Sequence, residues 1–582
     1  MQAQRLLMMT VAGSLAAAAP AAAQTIYPIN RAEILEGSHF DFKVEFPDAP
    51  VSADVKVTIN GKPADEVFGK PTTFAQNEEG QKHSALWLRG ASLPAGSYTV
   101  EATQGADRKA TVKWEVFATA EPRRAKNVIL FIGDGMSVAN RTAARILSKG
   151  LVEGRYNGEL AMDDMSNMAL ISTSGTDSVV TDSANAAHAY TTGHKSCVNA
   201  LGVYCAKNAL TLDHPKVETI AELVKRKTGM AVGVVTNSEI EDATPASMVA
   251  HTRRRSDFND IVKMFFDVKP DVIMGGGSPN FLAKTTPGSK RTDGEDFIAK
   301  FKEAGYTLAT TKTEMNAAVT GGSKKLLGLY NTGNIDGAFD LRLAKKGTIS
   351  KFPDQPDVVE QTKAAIDMLK GNSEGFLLMV ESARIDKYSH SLDWERSVFD
   401  TIMLDNAVKV AKDFAGDRND TLIIVVPDHA HPISIIGTYD DERPGQLLRD
   451  KLGVYQDSKV PNYGPVDAEG YPTNVDTSRR LAVAYGSYPD TCDTGRPAME
   501  GERVPAVKSA DGKTNVANEK DCSGPLATRK TGNLPFDANS GVHSADDVIL
   551  TAMGPGAEKF RGHKPNTYVF RVMAESLALG GK

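Results

Sequence analysis

The chain of 582 residues is long enough for more than one domain and a large buried core. Its 41% hydrophobic and 24% charged residues are those of an ordinary globular protein. A formal net charge of -6 excludes the basic excess with which a general nucleic-acid binder meets phosphate backbones.

Residues 1–23 contain one Arg, a short apolar stretch and an Ala-x-Ala ending, the form of a secretory signal peptide cleaved after Ala23. An exported protein, periplasmic or secreted, is the expectation. No later stretch is apolar for the ~20 residues of a membrane span. From 24 to 121 the pattern has period two, as in "FDFKVEF", "VKVTING", "SYTVEA" and "VKWEVF", with Asn60-Gly61 as a hairpin signal. A small all-β domain, a sandwich of immunoglobulin-like size, is predicted. "ATAEPRRAKN" follows as a polar linker.

Beyond the linker the runs are continuously apolar: "NVILFIGDG", "MAVGVVTNSE", "DVIMGGG", "GFLLMVES", "TLIIVVPDH" and "DVILTAMGP". Runs this short without alternation are strands buried on both faces of a mostly parallel sheet. Helical patterns at 215–229 and 397–416 lie between them, so residues 122–582 are predicted to form an α/β domain with helices on both faces. A polar, Pro- and Gly-rich stretch at about 432–540 is read as a surface insertion. The four cysteines suit an oxidising compartment. Pairing 197 with 205 and 492 with 522 is the simplest of three connectivities.

Ligands of open α/β sheets bind beyond the carboxyl ends of the strands. Here those ends carry Asp134, then Glu381, Asp386 and His390, then Asp428, His429 and His431, with His543 just before the last predicted strand. Such a set of carboxylates and imidazoles predicts a metal site, mixed ligands suiting Zn²⁺ and all-oxygen ligands Mg²⁺. In "GTDSVVTDSANAAHAYTTGHK" Thr-Asp-Ser occurs twice, ending at Ser178 and Ser183. Either serine could be a turn residue, a helix cap or a nucleophile. Ser183 opens a small-residue helix whose free amides could meet a phosphate.

These residues in this order resemble the alkaline phosphatase family, through "NVILFIGDGMS", "VVTDSANAAHAYTTGHK", "SEIEDATPASMVAH", "VIMGGG", "GFLLMVESARIDKYSH" and "VVPDHAH". The resemblance runs from about residue 127 to the C-terminus, leaves out the N-terminal β region and is poor through the insertion. It implies two zinc sites and one magnesium site. Asp386, His390 and His543 would hold the first zinc, and Asp134, Asp428 and His429 the second, next to the nucleophile Ser183. Asp134, Thr244 and Glu381 would hold magnesium. Asp182, Asp242 and His431 would stand behind these ligands. Arg255, chosen over Arg253 and Arg254 by family spacing, would grip the phosphate, and Lys387 would reach it through water. His563 is the competitor of His543, in what reads as a loop. His188 and His194 are left unassigned, and His251 is read as structural. The implied activity is hydrolysis of small phosphate monoesters, with a phosphodiesterase as the nearest rival and a surface-binding protein as another. A homodimer is one assembly the sequence allows.

Overall fold

The computed structural model describes residues 23–581, so the expected signal peptide lies outside the described residues except for its last position. Residues 25–117 form two sheets. One is ordered Thr25–Tyr27, Phe40–Pro47, His83–Ala91, Thr73–Ala75. The other is ordered Ala32–Leu35, Arg108–Phe117, Gly96–Gln104, Val55–Ile59, Lys62–Pro63. Phe42, Val44 and Phe46 of the first share a core with Ile59, Val100 and Trp114 of the second. Asn60 and Gly61 join two strands with φ of 50° and 80°, the backbone that a two-residue hairpin favours.

Alternation within 40–46 suggests a half-exposed strand, yet all eight residues of Phe40–Pro47 are buried. Its polar face, Asp41, Lys43 and Glu45, is covered by the segment 204–218. Asp41 accepts a hydrogen bond from the Lys216 amide, Lys43 donates to Asn208, and Glu45 accepts from the Lys207 amide. Tyr204 and Val217 belong to the same apolar core as Phe42 and Trp114.

The central sheet has ten strands, in the order Thr307–Ala309, Leu326–Leu329, Val272–Gly276, Ala231–Glu239, Phe376–Ser382, Asn127–Gly133, Thr421–Val426, Val548–Met553, Asn167–Ser172, Arg561–Pro565. Val548–Met553 runs antiparallel to both neighbours and every other pairing is parallel. Period two is now expressed across the layers. Val128, Leu130 and Ile132 face one core with the helices Ile220–Lys227, Phe258–Val268 and Thr567–Ser576, while Ile129 and Phe131 face the other with Val138–Lys149, Val358–Leu369 and Trp394–Ala415. Apolar residues on both faces are what a sheet between two helix layers requires.

The six predicted strands are present, and four others carry too little pattern to be read. Thr307–Ala309 and Leu326–Leu329 are only three and four residues long. Asn167–Ser172 alternates, turning Met168 and Leu170 outward. Arg561–Pro565 is an edge strand with Gly, His and Pro and no apolar run, so the loop expected around His563 is in fact a strand. Within 432–540, Ile433–Asp440 pairs with Arg479–Tyr485 and Leu452–Gly453. Both disulfides are those of the simplest pairing, Cys197–Cys205 and Cys492–Cys522.

Arg396, at the start of the Trp394–Ala415 helix, ties that helix to the segments around Asp340 and Ala498. Its fully buried guanidinium binds both oxygens of Asp340, reaches Asp393 at 2.7 Å, and donates to the Ala498 carbonyl at 2.7 Å. Arg396→Met leaves two buried carboxylates unpaired and is expected to lower stability by about 3–5 kcal/mol. The midpoint of denaturant unfolding measures this, and an unchanged midpoint would show that the two carboxylates find other partners.

Candidate active site

Four neighbouring parallel strands, Ala231–Glu239, Phe376–Ser382, Asn127–Gly133 and Thr421–Val426, end at one place. In register, Thr236 lies beside Glu381, and Glu381 beside Ile132, which is itself paired with Val426. Asp134, Asp386 and Asp428 therefore emerge within one or two turns of chain from the same sheet edge. Gly135 makes their approach possible. It has φ +68°, and a Cβ there would lie 2.9 Å from Asp386 Cβ and 2.9 Å from a carbon of the His431 ring. Its amide donates to Asp428 at 3.1 Å.

The doubled Thr-Asp-Ser is resolved by capping. Asp182 caps the Ser183–Thr192 helix by accepting from the Asn185 amide, and the Asn185 side chain answers by accepting from the Asp182 amide. Ser183 is then the first helical residue, with its hydroxyl free of capping. The hydroxyl oxygen lies 3.3 Å from His429 Nε2 and 3.5 Å from Asp134 Oδ1. Ser178 accepts from the Val180 amide in the loop before the helix and faces none of the clustered ligands.

Two groups of metal-competent side chains converge here, Asp386 with His429, His431 and His543, and Asp134 with Asp428 and His429. In the first, Asp386 Oδ1 lies 2.7 Å from His431 Nε2 and 3.2 Å from His543 Nε2, and His390 Nε2, outside that group, lies 3.3 Å from the same oxygen. In the second, His429 Nε2 lies 3.3 Å from Asp134 and 3.5 Å from Asp428. His390 Nδ1 donates to the Gly541 carbonyl and His543 Nδ1 to the Thr181 carbonyl, at 2.7 and 2.8 Å. Each ring thereby turns its Nε2 inward, and these two nitrogens stand 3.0 Å apart. Outward Nδ1–H bonds of this kind are the usual support of metal-bound imidazoles.

The electrostatics argue the same way. Burial, reinforced by Asp386, Asp428 and Glu381, pushes Asp134 well above the usual carboxylate range. Burial pushes Asp428 up to about 6 and Glu381 up to about 7. Asp386 goes the other way: burial opposes its charge, but the surrounding histidines hold it well below the ordinary value. Burial keeps His429 neutral, as a metal ligand must be. Asp428 Oδ2, Thr244 Oγ1 and His429 Nδ1 are buried without hydrogen-bond partners. Buried polar atoms are rarely left so, and a bound ion is one of the few explanations.

Beside this group lies a cationic pair. Arg255 reaches Asp242 at 2.6 Å and Asp182 at 3.4 Å, and Lys387 reaches the other oxygen of Asp242 at 2.6 Å. Despite burial, Lys387 and Arg255 hold Asp242 far below its usual range. With all groups ionised, the six carboxylates of Asp134, Asp182, Asp242, Glu381, Asp386 and Asp428 face two fixed cations, an excess of four negative charges. The donor set fits divalent ions and suits little else.

All fourteen predicted residues thus meet at one sheet edge. Sequence reasoning missed Thr236 and Ser238, whose hydroxyls both donate to Glu381 Oε2. Their i, i+2 spacing at the end of an apolar strand was the available signal. It also missed the Gly541 and Thr181 carbonyls, which leave no trace in residue identity. His563 is 58% exposed on the side chain and pairs with Asp547, away from this cluster.

The fold and the donor set define an α/β protein with side chains able to hold divalent metal ions at the carboxyl ends of its central strands. The family model for alkaline phosphatase matches residues 125–579, and the chain belongs to the alkaline phosphatase family. It is 32% identical to alkaline phosphatase of Escherichia coli (strain K12) over 404 residues, 62% of this chain and 82% of that one. It is 32% identical to alkaline phosphatase H of Pseudomonas aeruginosa over 401 residues, 62% of this chain and 81% of that one. The solved structure of Thermus thermophilus alkaline phosphatase covers 80% of this chain and 94% of its own at 22% identity, with a TM-score of 0.55. A structure of a TAB5 alkaline phosphatase mutant covers 78% of this chain and 99% of its own at 22% identity, with a TM-score of 0.51.

Without a metal the carboxylates repel one another, so removing one should help the empty protein and harm the loaded one. Asp134→Asn is expected to raise the thermal midpoint in chelator while lowering bound divalent metal at saturation. Thermal unfolding with and without chelator, alongside elemental analysis, reads both, and a lower midpoint in chelator would refute the repulsion argument.

Proposed function

We propose that the protein is an exported enzyme that hydrolyses small phosphate monoesters through a phosphoserine intermediate, at a site for two Zn²⁺ and one Mg²⁺. The observation that carries this reading is the uncapped Ser183 hydroxyl against His429 and Asp134 at the start of a buried helix. Asp386, His390 and His543 would hold one zinc, and Asp134, Asp428 and His429 the other. Asp134, Thr244 and Glu381 would hold magnesium, with Asp242 behind. The TAB5 neighbour is described with Mg bound, which supports a place for that ion. When bound, the metals supply Lewis acidity, making the serine hydroxyl and water more acidic and offsetting charge on the departing oxygen.

The residues of the chain do the rest. Arg255 would exchange its carboxylate partners for two phosphate oxygens, a geometry for which guanidinium is suited. The amides of the Ser183–Thr192 helix would face the incoming phosphate. Ser183 Oγ gives up its proton to solvent and attacks phosphorus, the ester P–O bond breaks, and the alcohol leaves with a proton taken from solvent. Water then attacks phosphorus, the Ser183–phosphate bond breaks, and inorganic phosphate is released as Ser183 regains its proton. Lys387 would contact the phosphate through water, held in place by Asp242. His431 would orient Asp386. Export rests on the form of residues 1–23. We take residues 24–121 as a β-sandwich domain and 122–582 as the catalytic domain, with 432–540 as an insertion on its surface.

Ser183→Ala is expected to abolish turnover with bound metal unchanged, whereas Ser178→Ala keeps most activity. Turnover, elemental analysis and acid-quench trapping of labelled phosphate on Ser183 decide it. Retained activity in Ser183→Ala would end the phosphoserine reading. Comparing aryl monoester with aryl diester turnover separates the rival, since a diester preference would mean that the three free oxygens are not what Arg255 and Lys387 recognise.

A further inference from the structure

We infer that the N-terminal β region is a positioning element for the phosphate-gripping arginine, acting through the loop closed by Cys197–Cys205. The inference rests on the reading of Arg255 given above.

The loop holds the site from behind. The amide of Asn199 donates to both oxygens of Asp182 at 3.2 Å, and the carbonyl of Asn199 accepts from the Arg255 amide at 2.9 Å. One residue thus touches both the cap of the Ser183 helix and the backbone of the arginine. Leu201 and Thr252 exchange paired backbone hydrogen bonds at 2.8 Å. The Val198 carbonyl accepts from Arg253 Nη1, and the Arg253 amide donates to the Thr211 carbonyl. Asn199 has φ +69°, in the left-handed region that non-glycine residues occupy at some cost. Such a backbone persists where its surroundings over-determine it, and the disulfide spans it from 197 to 205.

The N-terminal sheets hold the other end. Tyr27 donates to the Cys205 carbonyl at 2.8 Å, and its ring lies 5.7 Å from that of Tyr204. Glu45 accepts from the Lys207 amide at 2.7 Å, and Lys43 donates to Asn208 at 2.6 Å. Arg89 pairs with Asp213 at 2.5 Å, Asp41 and Lys216 share two hydrogen bonds, and Phe40 bridges to Val217. Glu45, Glu78 and His83 have the donors of a metal site. Lys43 Nζ, however, lies 2.8 Å from both glutamates and supplies the positive charge itself. A buried charge network is a poor source of stability but a good source of register. Here its exits are the Lys207 amide and the Asn208 side chain.

The test uses the metal-loaded full-length enzyme, an aryl phosphate as substrate and inorganic phosphate as inhibitor. Opening the loop with Cys197→Ser and Cys205→Ser is expected to raise KM and the phosphate inhibition constant about five- to tenfold with bound metal unchanged. Tyr27→Phe, which removes a single hydroxyl and serves if the double serine variant does not fold, should raise them about two- to threefold. In an Arg255→Ala background neither change should weaken phosphate further, because the group being positioned is gone. A purely structural role predicts instead that the effects multiply, and that result overturns the inference, as does unchanged phosphate inhibition in both loop variants. Unchanged phosphate inhibition in Arg255→Ala alone would remove the clamp reading, and this inference with it.

Discussion

The gathering of buried carboxylates at the edge of four parallel strands is the constraint on which the rest depends. Two unit charges about 4 Å apart interact with about 4 kcal/mol at an effective dielectric near 20. Asp134, Asp386, Asp428 and Glu381 are all buried, so solvent screens their repulsion weakly. The chain answers in three ways. It lets Asp134 move far from its ordinary ionisation, it surrounds Asp386 with imidazoles, and it sets Arg255 and Lys387 on Asp242. What is left over is negative and shaped for divalent ions. The same excess charge that weakens the empty protein makes it a strong ligand set, so stability and metal affinity are one quantity viewed from two states.

The sheet supplies the rigidity this needs. Asn127–Gly133 is buried at every position and packed between two helix layers by alternate side chains. A strand held on both faces cannot slip without exposing its core to the wrong layer. Asp134 follows immediately after this strand, and Glu381 lies within the next one. The placement of Asp134 and Glu381 is therefore inherited from sheet register. The histidines differ: His543 comes from the far side of the 432–540 stretch, and its ring is fixed by the Thr181 carbonyl, one residue before the helix cap. The loop before the Ser183 helix and the late histidine position each other across the sequence.

Much of this was legible because side-chain identity carried it. Runs such as "NVILFIGDG" mark a buried strand and the ligand after it in one motif, and capping chemistry marks the start of the Ser183 helix. Choosing Ser183 over Ser178 rested on the small-residue helix that only Ser183 opens, on ligands carried by distant strands and on the family resemblance, since both serines follow Thr-Asp. What escaped was carried by backbone atoms or by partners that bury a face. Alternation in "FDFKVEF" implied solvent on one side, because nothing in those seven residues announces that 204–218 will cover Asp41, Lys43 and Glu45. The Arg561–Pro565 strand was invisible for the opposite reason, pairing by backbone alone with exposed side chains.

Those two kinds of miss bear on how the N-terminal β region meets the site, which it does through main-chain atoms of the 197–205 loop. The contacts of Asn199 with Asp182 and Arg255 are of this type, and any residue able to hold its backbone would make them. Toward the N-terminal sheets the same segment offers Asn208 and Asp213 as well as backbone, and Lys43 and Arg89 recognise those side chains. The segment thus reads side chains at one end and backbone at the other. That asymmetry lets the β region be specific in what it grips while leaving the side chains around Asp182 and Arg255 unaltered.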